Sequence, residues 1–301
     1  MIKDITLYQD NAITRASYNM SALEKDILFL LISQMNKGDK AGKSYFIEAT
    51  ELIERKGERI DFADFKKAGR QLVSRVFETQ LEDKTILVSS FISSARYHPG
   101  KGLIEIAVDK HVLPLYCNLK SNFTTIQLNM ALQLSSKYSK RVYEIVSMLK
   151  NLPNPYITID LMELKKRLGV VIFDEKKLIK DNYPLFGQFN RRVLKIAKTE
   201  IDATDVNFTY EPVYPRTGQK KVIAIKFTVT KVVTAELLQT DEQYHTLHVR
   251  LVKEFRLRKD QADDVLQKID RKELVRTMYD ISLERPQIKN IGAYTAKMFK
   301  I

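Results

Sequence analysis

From Phe186 to Lys231 the spacing of apolar residues changes once. Phe186, Phe189, Val193, Ile196 and Ala197 recur at the 3.6-residue period of an amphipathic helix. Gln188, Arg191, Arg192, Lys195 and Thr199 fall on the opposite face, and no acid lies inside that stripe. After the helix the period drops to two. Val206, Phe208 and Tyr210 alternate on one arm of a predicted hairpin, and Ile223, Ile225, Phe227 and Val229 on the other. The turn between the arms, Pro215 to Lys221, is basic through Arg216, Lys220 and Lys221. A helix with a cationic outer face followed by a basic hairpin is the pattern of a winged helix-turn-helix. An ordinary solvated face on an α+β domain would give the same charge pattern.

Upstream, residues 1–20 read as an extended lead-in anchored by Ile13 and Tyr18. Ser21 and Glu24 form a capping box for a helix reaching about Met35. A strand is expected over Tyr45–Ala49, then a helix capped by Thr50 and ending near Lys56. Phe62–Phe77 reads as a helix with Phe65, Ala68, Leu72 and Val76 inward. Ile86–Tyr97 and Leu103–Val108 read as a hairpin turned at His98–Gly102, and Lys110–Leu119 as helical.

The order then repeats. Tyr45 leads into Glu51-Leu52-x-x-Arg55-x-Gly57, and Tyr156 leads into Glu163-Leu164-x-x-Arg167-x-Gly169. Phe62 to Lys67 is answered by Phe186 to Arg191, and a hairpin follows both. A helix over Ser136–Lys150 opens the second copy. The expected division is 1–121 for a first winged helix, 122–233 for a second and 234–301 for a helical extension. In that extension helices are expected at Glu242–Phe255, Asp260–Lys268, Lys272–Leu283 and Asn290–Phe299. The fold class is therefore α+β.

Charge separates the copies. The chain carries a net +13, but residues 1–125 hold 18 basic and 16 acidic side chains, whereas residues 126–231 hold 19 and 10. The excess lies in the second copy, which points to a polyanion partner for that segment. In the first copy Lys66, Lys67 and Arg70 occupy the matching helix, with Asp64 among them. That copy is expected to supply secondary contacts or an interface. No run of ~18 apolar residues suggests a membrane span. A single cysteine, Cys117, and an N-terminus without a signal-peptide pattern point to the cytoplasm.

Catalytic chemistry finds little support. Gly38 to Ser44 is one residue short of a phosphate-binding loop and sits between a helix and a strand in the wrong order. His245 and His248 near Asp241 and Glu242 lack a third convergent metal ligand. His98 and His111 are too far apart for a nickase centre, and Cys117 reads as core filler. No catalytic residue, cofactor or metal is expected.

Three stretches resemble a known family. Asn11-x-Ile13-x-x-Ala16-x-Tyr18-x-x-Ser21-x-x-Glu24 resembles the start of the iteron-binding plasmid replication initiators. Ser136-Lys137-Tyr138-Ser139-Lys140-Arg141-Val142-Tyr143-Glu144 resembles the opening of their second winged helix, and Phe189 to Ile201 their recognition helix. The resemblance covers about residues 8–231. It implies tandem winged helices; with no catalytic motif found, the chain is expected not to be an enzyme. Its implied partner is double-stranded DNA at tandem origin repeats, with local duplex opening. It also implies dimers that repress their own gene, monomers on the repeats, and host replication proteins (a helicase or its loader, a chaperone). The expected DNA contacts are Gln188, Arg191, Arg192, Lys195 and Lys198 on the helix, Arg216, Lys220 and Lys221 on the wing, and Lys66, Lys67 and Arg70 in the first copy. A winged-helix repressor and a nicking or polymerase enzyme are the rival readings.

Overall fold

The computed structural model describes residues 5–119, 121–174, 177–216 and 221–232, and further on 247–252, 254–269, 274, 277, 278, 281, 288 and 290–299. Met1–Val232 form one compact unit and Val233–Ile301 another.

Strand β1 (Thr6–Asp10) leads into the short helix α1 (Asn11–Arg15), where the Asp10 carboxylate accepts the Ala12 N–H at 2.7 Å. The capping box forms as its residues dictate: Ser21 Oγ accepts the Glu24 N–H, and Glu24 accepts the Ser21 N–H. Helix α2 (Ala22–Ser33) is buried on all sides from Glu24 to Ile32, not along one stripe. The copy continues through β2 (Ser44–Glu48), α3 (Ala49–Lys56), α4 (Phe62–Leu72), β3 (Val76–Gln80), β4 (Ile86–Ser90), β5 (Ile92–His98), β6 (Leu103–Val108) and α5 (Pro114–Cys117).

Four expectations for this copy change. Thr50 does not cap α3; Glu48 holds the N-cap position, and the Ala49 N–H is taken by the Gly102 carbonyl at 2.9 Å. The helix expected to reach Phe77 ends at Leu72, and Val76 lies on β3, 56% exposed, because burial there alternates with period two. The strand expected over Ile86–Tyr97 breaks at Phe91, whose buried ring packs on Tyr18 and Phe77. Lys110–Leu119 contains only α5, started by Pro114, after a series of turns.

The second copy runs β7 (Phe123–Gln127), α6 (Leu128–Gln133), α7 (Lys137–Ser147), β8 (Tyr156–Asp160), α8 (Leu161–Arg167), β9 (Val171–Asp174) and β10 (Lys177–Asp181). A continuous helical run follows: α9 (Phe186–Phe189), a π-helical turn (Asn190–Leu194) and α10 (Lys195–Ile201). Strands β11 (Val206–Val213) and β12 (Ala224–Val232) close it.

The repeat is reproduced in hydrogen bonding. The first copy orders its sheet β2-β6-β5 and the second β8-β12-β11, so the last strand lies central in both, with all pairs antiparallel. In both copies the Glu-Leu-x-x-Arg-x-Gly helix carries an i,i+4 ion pair, Glu51–Arg55 at 3.0 Å and Glu163–Arg167 at 2.8 Å. Each is followed by glycine in the left-handed region, Gly57 at φ 68° and Gly169 at φ 64°. Phe65 and Phe189 are both fully buried. Helices and a three-stranded wing arranged in this order make two winged-helix domains.

The boundary expected between residues 121 and 122 is bridged by packing. β7 pairs with β1 along its whole length, Thr6 opposite Gln127 through Asp10 opposite Phe123. Between α2 and α7 lies a buried polar cluster. Glu144 pairs with Lys25 at 2.6 Å and with Arg141. Arg141 also donates to Tyr18 Oη at 2.6 Å, to the Ala16 carbonyl at 2.8 Å and to the Thr14 carbonyl at 3.2 Å. Asp26 pairs with Lys140 and with Lys56. The conspicuous residues of the first two resembling stretches, Tyr18 in one and Arg141 and Glu144 in the other, therefore bind each other.

In the last unit, helices Lys259–Lys268 and Ile291–Met298 contribute to a separate core containing Leu251, Phe255, Val265 and Phe299. Most of the helix expected over Lys272–Leu283 lies outside the described residues, as does His245.

Candidate nucleic-acid interface

The helical run from Phe186 to Ile201 is oriented by what it buries. Phe189, Val193, Leu194, Ala197 and Ile201 are at or near zero exposure. Ile196, expected inward, is 39% exposed. The π-helical turn supplies the reason: the Lys195 N–H bonds the Asn190 carbonyl, one residue further back than in an α-helix. The extra residue turns Leu194 inward beside Val193 and leaves Ile196 outside. Asn190 is held by the Tyr210 hydroxyl, which donates to its Oδ1 at 2.7 Å, so the wing strand fixes the turn.

Gln188, Arg191, Arg192, Lys195 and Thr199 are all exposed on the other side, as the periodicity predicts. Among the described residues Arg191, Arg192 and Lys195 make no ion pair. The two acids at the end of the run are occupied elsewhere. Glu200 accepts the backbone N–H groups of Ser135 and Ser136 at 3.0 and 3.1 Å, which pins α10 to the start of α7. Asp202 pairs with Lys198. Lys198 is thereby drawn off the stripe, half-buried, with its ammonium 5.7 Å from the Phe208 ring centre. The remaining face carries positive charge that no acid among the described residues pairs with.

On the wing, Arg216 and Lys221 are exposed and bracket residues 217–220. Lys220 and the rest of that tip lie outside the described residues. Ile223, expected inward with Ile225, Phe227 and Val229, is 41% exposed, because it precedes β12 instead of belonging to it. In the first copy Lys66, Lys67 and Arg70 are exposed on α4, as is Asp64 in its first turn. The Lys66 ammonium lies 5.2 Å from the Tyr97 ring centre.

Two features escape a reading of local pattern. One is the ribbon β9–β10, inserted between α8 and the helical run; only the apolar stretch Val170 to Phe173 signalled it. The other is the buried polar cluster. Burial pushes the Lys25 ammonium down to about 8 despite the attraction of Glu144. Burial would raise the Glu144 carboxyl, but Lys25 and Arg141 together outweigh it and hold it below the usual glutamate value.

Other chemistry is not assembled. Among the described residues no three His, Cys, Asp or Glu side chains converge on a metal position. No described helix is long and apolar enough to cross a membrane. Cys117 is buried, and burial pushes its thiol up to about 11.

Comparison with known proteins gives a consistent picture. Residues 6–147 match the family model described as "Initiator Replication protein, WH1", and residues 160–229 match "Initiator Rep protein, WH2". A curated relative, the PI protein of Escherichia coli, is 32% identical over 139 residues, a stretch that covers 44% of this chain and 45% of that protein. The chain thus spans less than half the length of that relative in the match. The solved structure titled as the Pi initiator protein in complex with iteron DNA aligns with a TM-score of 0.64 at 21% identity, covering 76% of this chain and 98% of that one. At that identity the likeness speaks for the fold. Two winged helices in the family's order, matched in sequence over both, place this chain in the family of plasmid replication initiator proteins.

Proposed function

We propose that this chain starts plasmid replication by binding tandem repeats at the origin, with its second winged helix as the main reader. The observation that carries this is the acid-free stripe of the Phe186–Ile201 run, where Arg191, Arg192 and Lys195 stand exposed and unpaired while Glu200 and Asp202 are engaged elsewhere. Arg192 and Arg191 present forks suited to guanine, Gln188 suits adenine, and Lys195 reaches a base edge or phosphate. Lys198 contributes to the local field while held by Asp202. Arg216, Lys220 and Lys221 touch phosphates from the wing, and Lys66, Lys67 and Arg70 add weaker contacts from the first copy.

Binding on repeated sites bends the duplex and favours opening beside them. Host replication proteins, a helicase or its loader and a chaperone, then act on the complex in the cytoplasm. Away from repeats the chain forms a dimer that represses its own gene. The first copy supports that role. The outer edge of β4 is unpaired among the described residues and carries exposed Ile86 and Val88. An antiparallel edge is self-complementary about a two-fold axis.

The test is a binding titration on cognate and scrambled repeats at several salt concentrations. Arg192→Ala should cost ~1–3 kcal/mol on the cognate repeat and relax preference at one base position. A folded Arg192→Ala variant that binds both duplexes as the parent does would remove this helix as the reader. Preference for an isolated single operator over an array would favour a repressor.

A further inference from the structure

The two copies differ at one place that bears on the duplex. In the first, α3 and α4 are joined by five residues, 57–61; in the second, α8 and α9 are joined by eighteen, 168–185, which hold the ribbon β9–β10. The first copy closes its fold without such a ribbon, and in the second the outer strand buries almost nothing. Lys177, Leu178, Ile179 and Lys180 are all exposed, Leu178 at 43% and Ile179 at 56%. A bulge between Leu178 and Lys180 lets Ile179 out of register. The ribbon therefore adds a surface, not a core.

That surface is held rigidly to the recognition helix. Lys165 is buried, pairs with Asp181 at the end of β10 at 2.8 Å and donates to the Tyr183 carbonyl at 2.6 Å. The same ammonium lies 5.6 Å from the ring centre of Phe189, the residue that seats the helix. From Lys180 to Phe186 is six residues, at most about 20 Å of chain. A recognition helix meets base edges with its N-terminal residues. An insertion at that end stands at the rim of the major groove, about 12 Å across.

We infer that β9–β10 is a second wing, one that grips the phosphate strand at the N-terminal end of the recognition helix, on the side away from the β11–β12 hairpin. Lys180 is its principal contact. Asp181, next to it in sequence, is already paired with Lys165. Leu178 and Ile179 lie between the two ammonium groups and rest on the intervening sugars. The ribbon reads no sequence; it lengthens the footprint and fixes which way the helix enters.

This inference rests on the DNA-binding reading, and the test separates the two. The probe is a duplex enriched by the full-length parent chain from a random 25-bp pool. Lys180→Ala should lower the slope of log K against log salt by about 0.9, the share of one phosphate contact. It should leave base preference unchanged and remove hydroxyl-radical protection at one end of the footprint. Lys180→Arg should restore both. Lys180 is exposed, so circular dichroism should match the parent. An unchanged slope and footprint for Lys180→Ala and for Lys177→Ala/Lys180→Ala overturn the second wing. If those variants bind as the parent but fail to replicate, the ribbon serves a protein partner and the inference is likewise overturned. A parent chain that enriches no sequence sinks the initiator reading itself, and this inference with it.

Discussion

Arg141→Ala would test what the buried charges between α2 and α7 contribute to the fold. The side chain is enclosed between α7 and the segment from Thr14 to Tyr18. Its fork satisfies Glu144, the Tyr18 hydroxyl and the backbone carbonyls of Thr14, Ala16 and Arg167, and its guanidinium carbon sits 4.0 Å from the Tyr18 ring centre. Breaking a buried ion pair by removing one partner costs ~3–5 kcal/mol. Lys25, 2.6 Å from Glu144, keeps that carboxylate partly paired and moderates the loss. The carbonyls of Thr14 and Ala16 lose their donors, at ~1–3 kcal/mol each where they stay dry. Water entering the space left by the guanidinium recovers part of that. The expected net loss is ~4 kcal/mol, a large share of the ~5–15 kcal/mol that holds an ordinary protein folded. Urea unfolding followed by circular dichroism, with Lys67→Ala as an exposed control expected within ~0.5 kcal/mol, gives the measurement. Arg141→Lys should recover little, since a single ammonium cannot serve five acceptors set around a fork. A loss below ~1 kcal/mol for Arg141→Ala would mean that the cluster contributes little to the fold.

Gly169→Ala should destabilise by more than the ~1 kcal/mol of a strained left-handed residue. A Cβ there would lie 2.9 Å from the Tyr18 carbonyl, so melting temperature should fall further than for Gly57→Ala, which has φ 68° but open space. Lys25 gives a pH dependence of definite sign. Its pKa is lowered on folding from 10.5 to about 8, so between those values the unfolded chain holds the extra proton and stability rises with pH. The stability of the parent relative to Lys25→Met, from urea midpoints at pH 7 to 10.5, should therefore increase across that range; a flat difference would contradict the burial of a charged lysine.

Much of the fold was legible because it is written twice. Glu51, Arg55 and Gly57 do the same local work as Glu163, Arg167 and Gly169, and an i,i+4 pair followed by a left-handed glycine needs no distant partner. The cationic stripe was legible for the same reason, since periodicity alone decides which side Arg191 and Lys195 take. What failed depends on residues far away. Lys25, Asp26, Lys140, Arg141 and Glu144 carry no local mark of burial, and the pairs Lys25–Glu144 and Asp26–Lys140 reach across more than 100 residues. Ile196 was misplaced because the π-helical turn is set by packing and by Tyr210, not by local propensity. Lys198, expected among the DNA contacts, pairs with an acid four residues on.

The pairing of β1 with β7 also bears on the order in which the chain is made. Thr6 and Gln127 face each other, so β1 must wait for some 120 further residues before its partner exists. At ~5–20 residues per second that is about 6–24 s of translation. Throughout that interval the nascent first winged helix carries an open strand edge and a half-built core, which any second nascent chain on the same messenger also offers. Completion of β7 closes that edge, and it does so before the recognition helix has been synthesised.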